Sequence, residues 1–577
     1  HSNYFYASWI MDESMNDVAN NDGINSLSIH ENLNSSHTLN ILKMAYEHLS
    51  VSISLINDNT IRKFNQGETP HFVKTQRLIF PSQIYKELVM HNSQIEMLRL
   101  WSLINSTLIT YEPYNRVKYA VNAISALSRC ANLSPSFPDI VLLLNLFFEN
   151  ADCVAIFEQT NQYVKGLSVK LLLQTSPQIL VQLSHNSKHV RDFVHNLVFD
   201  LLLEHYHGLI FSLIVTSSSK NSTRASSARS ILEQLNKKRP DISEEVKLIR
   251  NGLLRAAVTW SEAILQKISE SFEFFQRKNI DKVIEILSSI LTLVSKPRCE
   301  MHNEFLNQYS KNIAILQQII TSYNKFNENI NSSSGSLTGS RGKLHISNAN
   351  INQLSQWCKT MQESLTEDIK NIRTIQLTSI SEALGKKTDF MLAVFGSYKP
   401  NKPVNRIKYF VGQFNVYMTK QQPKDVVVMG EDGNYYQYLL KGHEDLRLDE
   451  RIMQFFRLIN SFLKKETVFQ SNLIEAMTVI PLSMSHGLVQ WIRGTDTLRS
   501  VVQQYRTIHN KDPLQEYQML DSLSTKSFDL LEPIQKVQII EKIFSEVPDT
   551  DIAEFFWLKA ENAEMWLKQT NTFAITT

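Results

Sequence analysis

A mainly α chain that ends in an α+β part is the fold class this sequence predicts, and three observations predict it. Residues from about 40 to about 325 carry apolar positions at three- and four-residue steps with very little strand alternation. From Met391 the texture changes to short alternating segments separated by tight turns. At 577 residues, with 43% apolar and 20% charged composition, the chain is too long for one core and rich enough to build several. The expected organisation is a helical-repeat solenoid over 1–245, a four-helix bundle over 246–377 and a sheet-and-helix domain over 378–577.

In the solenoid, Ile41 to Leu55 opens the series, and Ile84 to Leu108 places Leu88, Ile95, Leu98, Trp101 and Ile104 on one helical face. Further amphipathic segments cover Val117 to Leu127, Ile140 to Phe148, Tyr163 to Leu173 and Val190 to Leu203, separated by polar breaks such as Ser134-Pro135-Ser136. The bundle follows Arg239-Pro240. Its helices are expected within Ile242 to Arg277, Ile280 to Val294, Phe305 to Tyr323 and Ile351 to Thr374. Residues 327–350, with Ser332-Ser333-Ser334-Gly335-Ser336, are too polar and too rich in Gly and Ser to pack, and read as a flexible insertion.

Composition limits the function classes. A formal charge of +2 argues against a chain-wide electrostatic footprint for nucleic acid and leaves only a local patch open, so no direct nucleic-acid binding is evident. Cys130, Cys153, Cys299 and Cys358 lie far apart, without zinc or disulfide spacing, which points to a reducing compartment: the cytoplasm, with the nucleus as a second possibility. No apolar run reads as a membrane span, and no basic-then-apolar leader is present. The Asn105-Ser106-Thr107 and Asn221-Ser222-Thr223 sequons read as chance matches. The chain starts at His1 rather than Met, so a piece of a larger protein is expected.

The α+β part carries the chemistry. Asn415 to Met418, Asp425 to Met429 and Tyr435 to Lys441 read as strands, with Glu431-Asp432-Gly433-Asn434 as a hairpin turn. Leu448 to Lys464 reads as a helix burying Ile452, Phe455, Phe456, Ile459, Phe462 and Leu463, and Met477 to Leu482 with Leu488 to Ile492 as a second strand pair. An aromatic and aliphatic strand that ends on Lys441, then Gly442 and a carboxylate-rich helix start, is how a kinase small lobe offers a cation to nucleotide phosphates. Such a lysine needs an acidic partner to hold its flexible stem, and Glu444 and Asp449 are the two candidates.

The run Lys441-Gly442-His443-Glu444-Asp445-Leu446-Arg447-Leu448-Asp449-Glu450-Arg451-Ile452-Met453-Gln454 looks like the small-lobe signature of the phosphatidylinositol 3-kinase-related protein kinases. So does Val479-Ile480-Pro481-Leu482 followed by Gly487-Leu488-Val489-Gln490-Trp491. The solenoid resembles the family's FAT domain, and Leu254-Arg255-Ala256-Ala257-Val258-Thr259-Trp260-Ser261-Glu262 the start of its FRB bundle. The resemblance implies a serine/threonine protein kinase that uses ATP and magnesium on a protein substrate, with regulatory subunits.

Residue by residue, it implies that Lys441 meets the phosphates and that Trp491 and Ile492 form the adenine hinge. Thr419, Lys420 and Gln421-Gln422-Pro423 match the phosphate-covering loop, while Leu439, Met477, Ile480 and Thr497 would line the pocket. The family's catalytic Gly-Asp-Arg-His loop and magnesium-holding Asp-Phe-Gly loop do not occur in this sequence. No catalytic residue is therefore assigned, the magnesium ligands are expected beyond Thr577, and the polypeptide as written is expected to be inactive alone.

Two branches of the family share features with the chain. The nonsense-mediated mRNA decay branch is suggested by Leu448-Asp449-Glu450-Arg451-Ile452-Met453-Gln454-Phe455, by Gln490-Trp491, and by Leu183-Ser184-His185 with Val190-Arg191. For that branch the implied substrates are Ser-Gln and Thr-Gln sites on the pathway's RNA helicase. The alternative is the target-of-rapamycin branch, suggested by the compact bundle, Gly396-Ser397-Tyr398-Lys399-Pro400 and Phe556-Trp557-Leu558-Lys559. A noncatalytic scaffold is the alternative of another class, and Lys441, Glu444 and Asp449 weigh against it.

Overall fold

The computed structural model describes residues 43–47, 49–50, 83–332, 340–419, 421–464, 473–492, 494–524, 528–547 and 549–576. The described residues up to Met453, with Thr478–Gln490, form one compact unit; Gln454–Met477 and Trp491–Thr577 form a second. The mainly helical class with a small sheet is as expected.

The solenoid consists of α1 (Gln83–Tyr111), α2 (Arg116–Leu133), α3 (Phe137–Asn150), α4 (Val154–Lys165), α5 (Lys188–Thr216), α6 (Ser222–Lys238) and α7 (Pro240–Ala257), with two short helices between α4 and α5. Proline opens α7, where the missing N–H costs nothing, and the Asn221 side chain caps α6 by accepting from the Arg224 amide. The helix expected over 163–173 is broken at Gly166, which caps α4. Asn105 is buried and donates to the Trp101 carbonyl, so its sequon is not an accessible one.

One helix is longer than the segment expected over Val190 to Leu203. α5 runs 29 residues and is long and apolar enough by composition to cross a membrane. Its Val190, Val194, Leu202, Leu209 and Leu213 are buried in the core shared by the solenoid and the sheet. Helical periodicity read in short segments hid the length, because polar His195, His205 and His207 interrupt it.

The bundle is α8 (Trp260–Gln276), α9 (Ile280–Val294), α10 (Glu300–Ser332) and α11 (Ser340–Asn371). It has its own core, in which Trp260, Ile264, Leu287, Leu316, Leu354 and Leu365 meet. Trp260 stacks on His302 at 3.8 Å, and the Trp357 indole donates to the Asn312 carbonyl at 2.8 Å.

Two expected boundaries move. α7 passes without a break through the 245/246 boundary, and Ile242, Val246, Ile249 and Leu253 belong to the solenoid core. The break comes at Val258-Thr259, where a capping box begins α8: the Glu262 amide bonds the Thr259 hydroxyl while the Glu262 carboxylate accepts from the Thr259 amide. In the expected insertion 327–350, α10 continues to Ser332 and α11 starts at Ser340, so both flanks are helical; residues 333–339 lie outside the described residues. Serine and asparagine lower helix propensity by only a few tenths of a kcal/mol each, roughly, which neighbouring turns readily offset.

The sheet contains β1 (Thr374–Gln376), β2 (Ile407–Phe410), β3 (Gln413–Val416), β4 (Lys424–Gly430), β5 (Tyr435–Gly442), β6 (Val479–Pro481) and β7 (His486–Gln490). All pairs are antiparallel, in the order β1-β3-β4-β5-β7-β6, with β2 alongside β4. Solenoid and sheet form one continuous core: α7 packs on β5 and β7, and α5 on β6. Each fully buried aliphatic side chain there, such as Leu440 or Leu488, contributes about 1.5–3 kcal/mol.

Polar side chains of α5 and α7 then bond the backbone that leads into the sheet and runs through it. The Glu245 carboxylate, 4% exposed, accepts the amides of Met391 and Leu392 at 3.1 and 2.9 Å. Arg250 donates to the Leu482 carbonyl at 2.8 Å and Arg255 to the Ile380 carbonyl at 3.0 Å. His207 Nδ1 accepts the Ala393 amide at 3.1 Å. These partners satisfy buried backbone groups that no strand ladder serves.

His207 makes this set of bonds pH-dependent. Burial, with Arg406 and His205 nearby, pushes its imidazole from the usual 6.5 down to about 4. Because the unfolded chain takes up this proton first, the stability His207 contributes is full above 6.5 and is lost as pH falls toward 4. The unfolding midpoint should drop between about pH 7 and about pH 5. His207→Asn, whose Oδ1 can accept the same amide without titrating, should show a smaller drop. Identical drops in the two proteins, measured by thermal melts, would contradict the assignment.

Candidate functional site

Residues directly opposite one another in an antiparallel ladder share a face, and neighbours along a strand alternate. Lys424, Leu440, Leu488 and Ile480 pair across four strands and so share the face packed on the solenoid. Asp425, Leu439, Val489 and Val479 form the next row, on the opposite face, and Lys441 lies on that face too. The alternation of β5, with Tyr438, Leu440 and Gly442 buried and Leu439 and Lys441 only partly so, follows from this arrangement.

Lys441 ends the second face. Its ammonium donates to Glu444 Oε2 at 2.9 Å, with the lysine side chain 29% exposed. His443, at φ +62°, turns the chain sharply enough for a carboxylate three residues on to reach back. The Glu444 amide donates to the Ser485 carbonyl at 3.1 Å, which anchors that turn to the start of β7. Of the two candidate partners, Glu444 is therefore the one bonded to Lys441. Asp449 is exposed in the first turn of α12 (Arg447–Leu463), where a carboxylate also favours the helix dipole. Opposite Lys441 in the ladder stands Gly487, so no side chain faces the lysine stem from β7.

Leu439 is half-buried on the same face as Lys441. Thr419 is exposed in the loop between β3 and β4, where its carbonyl accepts from the Gln422 amide at 3.1 Å and Gln422 takes a positive φ of 43°. Lys420 lies outside the described residues. Ile480 is a correction: it pairs with Leu488 and packs on the solenoid-facing core, so it does not share the Lys441 face. Strand periodicity places β-residues on alternate faces, but without a register the sequence could not say which.

Trp491, Ile492, Thr497 and Met477 belong to the second unit. Trp491 and Ile492 are half-buried, and Thr497 is the N-cap of α13 (Leu498–Ile508), its hydroxyl accepting the Ser500 amide at 3.1 Å.

Residues on the Lys441 face that sequence reasoning missed are Val489, Val479 and Asp425. Counting by twos along β7 from the residue opposite Lys441 finds Val489. Asp425 is buried and its carboxylate accepts from Gln437 Nε2 at 2.9 and 3.0 Å. The expected buried stripe of α12 is also corrected. Met453 is buried, whereas Ile452, Phe455 and Phe462 are exposed, Phe455 to 56%. An amphipathic pattern identifies the apolar side of a helix but not how much of it other elements cover.

Comparisons with known proteins agree on a family. The model for the phosphatidylinositol 3- and 4-kinase domain matches residues 435–577, and that for the FKBP12-rapamycin binding domain matches 252–335. The chain belongs to the phosphatidylinositol 3-kinase-related kinases. It is 28% identical to the serine/threonine-protein kinase mTor of Drosophila melanogaster over 463 residues, 79% of this chain and 18% of that one. It is 46% identical to the probable serine/threonine-protein kinase smg1 of Dictyostelium discoideum over 85 residues, 14% of this chain and 4% of that one. Among solved structures, the FAT and kinase domain of CtTel1 superposes with a TM-score of 0.46 at 13% identity, over 93% of this chain and 32% of that one. The chain spans about a fifth of the length of the curated relatives that it matches along most of its own length.

The sequence resemblance implies a nucleotide beside Lys441, and that expectation generates a two-sided prediction for the face that Lys441 shares. Val489→Phe should lower nucleotide affinity about tenfold while leaving the unfolding midpoint nearly unchanged. Ile480→Ala should cost about 1–3 kcal/mol of stability and leave affinity within about twofold. Isothermal titration and thermal melts of both variants check this, and the reverse pattern would contradict the face assignment.

Proposed function

We propose that the chain is the helical scaffold, regulatory bundle and nucleotide-binding lobe of a serine/threonine protein kinase of the nonsense-mediated mRNA decay branch. In this reading ATP is the phosphoryl donor and Ser-Gln or Thr-Gln sites on the RNA helicase of that pathway are the acceptors. The observation that carries the kinase reading is the Lys441–Glu444 pair, an oriented and partly exposed cation on the face of the sheet turned away from the solenoid. Its donors suit an anionic phosphate, and the pairing holds the stem of Lys441 in one rotamer. Magnesium, when bound with ATP, neutralises charge on the phosphates; this chain's share is to place Lys441 and to present Leu439 and Val489 as apolar surface.

The decay branch is favoured by the 46% identity to smg1. A second reading, a target-of-rapamycin-type kinase, is favoured by a different observation: relatives of that type match about four-fifths of the chain at 25–29% identity. Regulatory proteins are the proposed partners of the bundle, and the cytoplasm is the proposed compartment.

The test uses the full-length protein, purified with its native partners, on paired peptides that differ only by Gln or Ala after the acceptor serine. Strong preference for the Gln peptide, with activity abolished in Lys441→Met, is the expected result. Equal phosphorylation of both peptides would overturn the decay-branch reading. Unchanged nucleotide affinity in a folded Lys441→Met protein would overturn the role of Lys441 itself.

A further inference from the structure

We propose that Lys424 is a positioning residue for Lys441, acting through the joint between α7 and α8. The inference rests on the nucleotide reading of Lys441 given above.

The two lysines are neighbours with opposite surroundings. Lys424 opens β4 and stands directly opposite Leu440, the residue before Lys441, but on the other face of the sheet. It is 1% exposed, and an ammonium so buried is tolerated only when it is paired and hydrogen-bonded. Its Nζ donates to the Ala257 carbonyl at 3.0 Å and to Glu262 Oε1 at 2.6 Å. Ala257 is the last residue of α7, so its carbonyl is one that the helix end leaves without an intrahelical partner. Glu262 sits in the first turn of α8, and its other oxygen, Oε2, accepts from the Thr259 amide at 2.7 Å. A single cation thus ties the end of one helix to the capping box of the next.

The same joint meets the strand that carries Lys441. Gly442 follows Lys441 directly, and a Cβ there would lie 2.4 Å from Val258 Cγ2 and 2.9 Å from the Ala257 carbonyl oxygen. Only a glycine lets β5 approach the joint so closely. The end of β5 therefore rests on Ala257-Val258, and Ala257 is held in turn by Lys424. Any drift of the joint is passed to Gly442, and from there to the backbone that aims Lys441 and forms the His443 turn. Burial pushes the Lys424 ammonium down while the Glu262 carboxylate opposes that shift, so removing either partner leaves the other poorly placed.

A residue that served only stability would change the melting behaviour and not the affinity of the folded protein. The test therefore compares Lys424→Met, Glu262→Gln and the double variant of the full chain, well below their unfolding midpoints. Trinitrophenyl-ATP is the probe, displaced by ATP. Each single variant should weaken ATP binding about fivefold and speed amide exchange at Gly442, His443 and Glu444. The double variant, which leaves no charge stranded, should recover most of the melting temperature but not the affinity. Parental affinity in the folded Lys424 variants, alongside loss of binding in Lys441→Met, would overturn the inference and leave the nucleotide reading standing. Parental affinity in Lys441→Met would instead remove that reading, and the inference with it.

Discussion

The backbone around the sheet is held from one side, by side chains of α5 and α7 that bond peptide groups no ladder reaches. Glu245, Arg250, Arg255 and His207 each supply a bond of this kind, and Lys424 returns one from the sheet to the end of α7. Buried peptide groups without a partner cost about 1–3 kcal/mol each. Solenoid and sheet consequently cannot separate without exposing both apolar surface and unpaired polar groups. The continuous core that runs from Ile124 in α2 to Leu488 in β7 is the hydrophobic counterpart of the same constraint.

This constraint decides which face of the sheet is available for chemistry. With one face packed on α5 and α7, the partly exposed Lys441, Leu439 and Val489 stand together on the other face. Lys424 and Lys441 show how environment assigns a role to chemically identical side chains. One is sealed between a helix-end carbonyl and a carboxylate; the other is partly exposed and steadied by a neighbour three residues on. Sequence position separates them by a single strand, while the pleat puts them on opposite sides.

Much of this was legible in the sequence because it depends on short-range pattern. The helical periodicity of the bundle, the Gly433 hairpin, and the spacing from Lys441 to Glu444 are local features, and among the described residues the bundle helices, the hairpin and the Lys441–Glu444 pair are present. What was not legible depends on tertiary register or coverage. Ile480 was assigned to the wrong face because only the pairing with Leu488 reveals its side. The α12 stripe was expected to be buried, yet Phe455 and Phe462 are exposed, since amphipathicity does not state what covers a face. The first bundle helix starts at Trp260 rather than near 246 because α7 continues the solenoid, and the Thr259–Glu262 capping box marks the change. Asp425 escaped notice for a similar reason: next to Lys424 in sequence, it lies on the other face.

The most direct measurement is acylation of the chain by a nucleotide carrying an acyl phosphate on its terminal phosphate, followed by peptide mapping of the modified lysines. A lysine that meets phosphate in the bound nucleotide is acylated, and free ATP protects it. The account predicts protected labelling of Lys441 and none of Lys424, although the two stand on adjacent strands. Labelling of Lys424, or labelling of Lys441 that ATP does not suppress, would contradict it.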